Sequence, residues 1–274
     1  MRAAAIYGPA ASAKDLAAFQ CAGVEFTDSI PGADAAVVFG GDGTVHRFLP
    51  QVYEHKVPLL AVPAGSGNDF HREIGTGTRA LAAEAWQAFV QGKPPREIDL
   101  GEFHNVEGER RVFCCVAGFG LDSDANLRAN ALPSWLKRNG GYIIAALQTI
   151  FTYKPKRVRL TAGGKTLDEP VTMVAIGNAP AYGSGLRITP RALFDDGKLD
   201  VCFVRALSKP QLLRFFPKVF RGSHVELEQV EYLQAADIRI ETDVPMRINC
   251  DGEHGGHTPA VFTVLPKALR VIVP

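Results

Sequence analysis

Short apolar runs of strand length, each closed by Gly or Pro, alternate with helical periodicity over residues 1 to about 97. Ala3–Tyr7, Ala35–Phe39 and Pro58–Val62 are such runs and predict buried strands. Leu81, Ala85, Trp86 and Phe89 recur at helical spacing and predict a helix over Arg79–Val90, stopped by Gly92 and Pro94-Pro95. Strand alternating with helix implies a parallel sheet flanked by helices, a Rossmann-like α/β domain ending near residue 97. From residue 98 the pattern changes. Strands are predicted at Arg96–Phe103, Arg111–Ala117, Arg157–Thr161, Val171–Gly177, Leu199–Arg205, Val225–Val230, Ile238–Thr242, Met246–Cys250, Val261–Leu265 and Leu269–Val273. Helical patterns interrupt them only at Tyr142–Phe151 and Lys209–Phe220, so the second part reads as mostly antiparallel β.

Composition narrows the function. At 274 residues and 46% hydrophobic, the chain can bury roughly three quarters of its unfolded surface in two domains. Its 30 Lys+Arg against 29 Asp+Glu give no global field, which argues against nucleic acid as a partner. Cys21, Cys114, Cys115, Cys202 and Cys250 are odd in number and include no C-x-x-C pair, so they read as reduced core residues of a cytosolic protein. Ala3–Ile6 is too short for a signal-peptide core, and Tyr142–Leu147 falls well short of the roughly 20 apolar residues that span a bilayer. A cytoplasmic location is expected, and the oligomeric state is left open.

The chemistry concentrates at strand ends. The run Ala35–Phe39 passes directly into Gly40-Gly41-Asp42-Gly43-Thr44, a turn whose backbone N–H groups can approach an anion closely. A helix starting near Thr44 adds its N-terminal dipole to the attraction for phosphate. Pro58–Val62 ends similarly, in Pro63-Ala64-Gly65-Ser66-Gly67-Asn68-Asp69-Phe70. In an open α/β sheet both turns lie at the carboxyl edge of the strands, where ligands bind. Neither turn is a Walker loop or a G-x-G-x-x-G fingerprint.

These motifs resemble the diacylglycerol-kinase-like lipid kinases, whose G-G-D-G-T and G-[TS]-x-N-D-F stand here at Gly40–Thr44 and Gly65–Phe70. Ile98-Asp99-Leu100-Gly101, Phe113–Gly120, Pro190–Asp200 and Asp251-Gly252-Glu253 follow in the family's order. The resemblance implies an N-terminal nucleotide domain (1–97), a C-terminal β-sandwich (98–265) for lipid, ATP in the cleft between, and residues 266–274 returning to the first domain. It implies ATP contacts from Thr27, Gly40, Gly41, Asp42, Gly43, Thr44, Gly65, Ser66, Gly67 and Asn68. It also implies a catalytic base, Asp251 or Glu253, with Asp251 favoured; alternation on an extended strand would put both carboxylates on one side. A structural Mg²⁺ is implied at Leu193, Asp196 and Lys198, through the Asp196 carboxylate and two backbone carbonyls. Cys250, His254 and His257 bracket the Asp-Gly-Glu, but Gly255-Gly256 predicts a loose loop there and no transition-metal site is expected.

Two departures stand out. The family's x-N-E after G-G-D-G-T is replaced by Val45-His46-Arg47, and its N-terminal Asn-Pro-x-Ser-Gly is reduced to Tyr7-Gly8-Pro9-Ala10-Ala11-Ser12. The expected activity is transfer of the ATP γ-phosphoryl group to a lipid hydroxyl with Mg²⁺, at a membrane surface reached peripherally. Lys209–Arg221 and Pro133–Arg138 mix bulky apolar residues with cations, as interfacial segments do. The rival readings are an NAD kinase-like small-molecule kinase and a non-catalytic nucleotide- or lipid-binding protein.

Overall fold

The first strand-length runs are apolar on both faces because helices cover both. In the computed structural model, which describes residues 1–65, 67–132, 148–183 and 185–274, β1 (Arg2–Tyr7), β3 (Ala35–Gly40) and β4 (Leu59–Pro63) lie parallel, with β2 (Glu25–Thr27) outside β1. Ala35, Val37 and Phe39 share one core with Trp86 of α3 (Arg79–Val90), whose indole N–H donates to the Phe19 carbonyl at 2.7 Å. Ala36 and Val38 share the opposite core with Val45, Leu49 and Val52 of α1 (Asp42–Glu54). A short helix, α2 (Asp69–Glu73), follows β4.

The remaining strands are antiparallel. β5 (Arg96–Asn105) turns back through β6 (Arg110–Phe113), and β7 (Val116–Gly120) leads into α4 (Leu121–Ala131). β8 (Lys156–Ala162), β9 (Lys165–Gly177), β10 (Leu199–Arg205), α5 (Lys209–Arg221), β11 (Val230–Ala235), β12 (Asp237–Thr242), β13 (Arg247–Cys250), β14 (Glu253–His257) and β15 (Ala260–Val271) complete the order. One path of neighbours runs β14-β13-β7-β9-β8-β12-β15-β4-β3-β1-β2. Phe103, Phe113, Phe119, Phe203 and Phe262 fill the interior of the antiparallel part. β15 joins the two parts. It pairs antiparallel with β5 from Ala260↔Asn105 to Val271↔Arg96, and parallel with β4 at Val271↔Leu59.

The structure differs from the sequence expectation at several elements. Val225–Val230 is not a strand: Gly222 ends α5, residues Ser223–Glu226 form a 3-10 turn, and the strand starts at Val230. His224 drives this, being fully buried with Nε2 3.0 Å from the Ile188 carbonyl. Arg111–Ala117 splits at Cys114-Cys115, whose N–H groups leave the ladder for the Asp251 carboxylate. Val261–Leu265 and Leu269–Val273 are one strand with an irregularity between Leu265 and Leu269. Of the helix expected over Tyr142–Phe151, residues 142–147 lie outside the described residues, and 148–152 are helical. The Pro133–Arg138 segment also lies outside them.

A carboxylate explains the irregularity in β15. Asp99, 1% exposed between Ile98 and Leu100, accepts the Lys267 N–H at Oδ1 (2.7 Å) and the Gly197 N–H at Oδ2 (2.8 Å). Its own N–H donates to the Phe194 carbonyl at 2.6 Å, and its carbonyl accepts from Asn178 Nδ2 at 2.9 Å. Removing such an acceptor strands two backbone donors, each costing about 1–3 kcal/mol. Asp99→Ala is therefore expected to lower unfolding stability by about 2–4 kcal/mol in urea titrations. A loss below about 0.5 kcal/mol, the range of ordinary surface substitutions, would show that the carboxylate is not the organiser.

Candidate active site

The two glycine turns meet because neither carries a side chain where they touch. A Cβ on Gly65 would lie 2.6 Å from Gly41 Cα, and one on Gly41 would lie 3.0 Å from Gly65 Cα. Asp42, in the first turn of α1, ties them together: its Oδ2 accepts the Asp69 N–H at 2.9 Å and its Oδ1 the Phe70 N–H at 3.0 Å. His71 Nδ1 lies 3.5 Å from the same Oδ1. Burial alone would raise the Asp42 carboxyl, but His71 and the two amides outweigh it and hold it below the ordinary value. Asn68, in the left-handed region at φ 57°, folds back on Gly65, accepting its N–H at 3.1 Å and donating to its carbonyl at 2.7 Å. Thr44 packs over glycine backbone on two sides, since Cβ atoms on Gly8 and Gly40 would lie 3.2 and 2.7 Å from its Cγ2.

A cleft of about 1140 Å³ opens over these turns. Gly40, Gly41, Asp42, Gly43, Thr44, Gly65 and Gly67 line one side, and Cys114, Cys115, Asn126, Tyr182, Asp251 and Gly252 line the other. Asn68 shapes the Gly65 turn without being among the lining residues, and Ser66 lies outside the described residues. Thr27 is not among the residues lining the cleft. It pairs with Ala4 on edge strand β2, whereas the cleft begins at Tyr7, three positions or about 10 Å further along β1.

Asp251 and Glu253 do not share a side. Asp251 (φ 49°) and Gly252 (φ 87°) form a two-residue turn in the left-handed region between β13 and β14, with Cys250 paired to Glu253. The extended alternation fails because a tight turn takes its place. The Asp251 side chain is 2% exposed. Its Oδ1 accepts the N–H groups of Cys115 (2.8 Å) and Val116 (3.0 Å), and its Oδ2 that of Cys114 (2.8 Å). His46 Nδ1, from α1 across the cleft, lies 3.2 Å from Oδ2. Burial raises this carboxyl, yet His46 and the amides more than offset it, leaving the pKa below its ordinary 3.8. Glu253 is exposed, and its Oε1 lies 3.8 Å from where a Gly43 Cβ would be, above the phosphate turn. The thiols beneath are not nucleophiles: its hydrogen bond to Cys115, burial and Asp251 push Cys114 well up, and Cys115 is raised to about 12, burial and Asp251 outweighing the opposing Cys114 bond.

Residues 13–103 match the diacylglycerol kinase catalytic domain, and residues 115–273 match the YegS C-terminal NAD kinase beta sandwich-like domain. A diacylglycerol kinase of Mycobacterium tuberculosis is 36% identical over 244 residues, spanning 89% of this chain and 78% of its own length. The chain belongs to the diacylglycerol kinase family. The diacylglycerol kinase of Bacillus subtilis is 24% identical over 246 residues, covering 88% of this chain and 78% of that protein. A diacylglycerol kinase structure from Bacillus anthracis shares the fold, with a TM-score of 0.74 at 22% identity, covering 100% of this chain and 97% of the other. The chain is thus a lipid-kinase-family enzyme built from an α/β domain and a β-sandwich.

The Leu193–Lys198 loop offers oxygen donors of the kind a hard cation takes. Asp196 Oδ1 accepts the Lys198 N–H at 3.1 Å, while Asp195 turns away to Arg96 at 2.7 Å. Leu193 and Lys198 would add carbonyl oxygens, completing an all-oxygen set suited to Mg²⁺. Burial raises the Asp200 carboxyl, and the Asp196 charge raises it further, a repulsion that a cation would relieve.

Sequence reasoning named His46 and Asp99 but gave neither a role. The signal for Asp99 is a lone acid within an apolar strand; for His46 no local signal exists, because its partner is 205 residues away. Burial lowers the His46 ring, but the hydrogen bond and charge of Asp251, with Glu253, outweigh it and raise the pKa above 6.5. A raised histidine stabilises the fold below its unfolded pKa, and that share fades as pH climbs through the folded value. The stability difference between wild type and His46→Gln should therefore shrink as pH rises from about 6 to 8 in urea melts. A difference independent of pH would mean that His46 stays neutral.

Proposed function

We propose that the chain transfers the γ-phosphoryl group of ATP to a hydroxyl of a diacylglycerol-like lipid. The observation that carries this reading is the exposed Glu253 carboxylate beside the paired glycine turns, its Oε1 3.8 Å from where a Gly43 Cβ would be. The turns and the α1 N-terminus offer backbone N–H groups and a dipole to the phosphates. Arg47 lines the same cleft, stacked on Phe48 at 5.7 Å, and adds a cation. A Mg²⁺ bound with the nucleotide would neutralise phosphate charge, the main need of phosphoryl transfer. Glu253 takes the proton of the acceptor hydroxyl as its oxygen bonds to the γ-phosphorus, and the bond to the β-phosphate oxygen breaks to release ADP. Asp251 positions that base: its oxygens are occupied by three amides and His46, and it holds the turn from which Glu253 emerges.

Tyr182 also lines a second, apolar cavity of about 30 Å³, with Leu186, Ile188, Met173 and Phe215, beneath α5. Apolar side chains thus stand behind the cleft wall at Tyr182, the kind of surface a lipid acceptor would face. The relatives' names support the same class.

Labelled ATP offered with diacylglycerol and other lipid alcohols tests the reading, with phosphate transfer to diacylglycerol expected. Glu253→Gln should lower kcat at least about a hundredfold with ATP affinity and melting temperature kept. Asp251→Asn should instead lower the melting temperature, because the amide cannot accept from all its donors. Near-wild-type turnover in Glu253→Gln would overturn the base assignment.

Membrane approach is proposed for the outer side of α5. Phe215 is 3% exposed and packs inward with Leu212 and Val219, so it is not a membrane contact. Leu213 and Phe220 are 46% and 47% exposed on a helix carrying Lys209, Arg214, Lys218 and Arg221. Such a face suits the interface of an anionic bilayer, and no helix among the described residues is long and apolar enough to cross one. Leu213→Ser with Phe220→Ser should reduce co-sedimentation with anionic vesicles without lowering the melting temperature; unchanged co-sedimentation would remove α5 as the contact.

A further inference from the structure

Outside the cleft, two imidazoles and a carboxylate converge where the β5–β6 turn meets β14. Glu109 at the turn, and His254 and His257 on β14, place one ligand atom each within 4.8 Å of the others. None of the three lines the cleft. The convergence depends on Gly256, at φ 151°: a Cβ there would lie 2.9 Å from Glu109 Cδ and 2.7 Å from Phe103 Cζ. Only a residue without a side chain lets the carboxylate lie over the strand between the two histidines. Gly255-Gly256 is thus part of a strand, contrary to the loop expected from sequence. Cys250 is not a member: it is fully buried, and Glu109 takes the place the sequence suggested for it.

The geometry points to a site for a divalent transition-metal ion of the zinc class, held by Glu109, His254 and His257 with an open position for water. Two imidazoles and one carboxylate are a donor set for zinc, cobalt, nickel or copper, not for Mg²⁺ or Ca²⁺, which take oxygens. Ligand atoms of a tetrahedral site with bonds of about 2.0–2.1 Å lie about 3.3 Å apart, so closing on an ion needs only side-chain rotation. The His254 and His257 ring centroids are already 5.1 Å apart. Asn105 supplies the outer support that such sites require. Its Nδ2 donates to Glu109 Oε2 at 2.7 Å and to the His257 carbonyl at 3.1 Å, and its Oδ1 accepts the Glu109 N–H at 3.0 Å. One side chain therefore orients the carboxylate and anchors the strand bearing a histidine. Arg247, the nearby cation, has its Nε 3.3 Å from Asn249 Oδ1.

The test is calorimetric titration of the chelator-treated full chain with Zn²⁺ in excess Mg²⁺, alongside Co²⁺ read by visible absorption. One Zn²⁺ per chain and d–d bands from Co²⁺ are expected. His254→Ala, His257→Ala and Glu109→Gln should each weaken binding at least about tenfold, since loss of outer-shell support alone commonly costs that much. His254 is exposed, so its replacement leaves the fold intact and keeps the test decisive if another variant unfolds. Cys114→Ser should leave the affinity unchanged, which separates this site from the buried Cys114, Cys115 and Asp251 group. Absence of Zn²⁺ binding, equal affinity in His254→Ala and wild type, or loss of binding in Cys114→Ser would each overturn the assignment.

Discussion

Backbone N–H groups that leave the sheet ladder must find other acceptors, and in this protein three aspartates provide them. Asp42 takes the amides at the start of α2, Asp99 those of Gly197 and Lys267, and Asp251 those of Cys114, Cys115 and Val116. Each joins segments distant in sequence. Bonds from N–H to a carboxylate are worth about 1.5–3 kcal/mol each, roughly twice a neutral bond, and carboxylates gathering several stay ionised even when buried. The loops that form the cleft are thereby fixed without using the sheet ladder.

The same constraint separates two roles that share one short motif. In Asp251-Gly252-Glu253 the first carboxylate is saturated by amides and His46, and its depressed pKa makes it a weak base. Because a left-handed Asp-Gly turn reverses the chain between them, the second carboxylate emerges beside Gly43 instead. Rigidity in one acid is what aims the other. The arrangement follows a general rule for catalytic groups: the reacting side chain must be held by neighbours whose own positions are locked.

What could be read from sequence was whatever depends on local pattern. The helix over Arg79–Val90 and the strand over Leu199–Arg205 match their predicted bounds because periodicity and Gly/Pro punctuation settle them. The glycine turns were legible because backbone exposed to an anion leaves few residue choices. Elements set by a distant partner were not. Arg111–Ala117 has an unbroken strand pattern, yet it breaks where Asp251 draws off its amides. Val225 and Leu227 alternate with glutamates like the start of a strand, yet burial of His224 against Ile188 overrides it. The helix α4 was invisible because its apolar residues follow no helical face. Sequence favoured Asp251 over Glu253 as the base, because no local pattern reveals the left-handed turn that buries the first carboxylate.

The departures after the glycine turn are two halves of one change. The motif that the glycine turn resembles continues with Asn-Glu, where this chain has His46-Arg47. His46 Nδ1 lies 3.2 Å from Asp251, a contact between the cleft walls that bridges α1 to the β13–β14 turn. Its protonated form would place a positive charge at the cleft edge, and Arg47 adds a permanent one to the lining. A nucleotide triphosphate arrives with several negative charges, and fixed cations focus that attraction into a low-dielectric cleft. A guanidinium there favours an anion in the cleft, and so does the loop after β1, whose Tyr7, Gly8, Pro9, Ala10 and Ala11 line the same cleft beside Arg47.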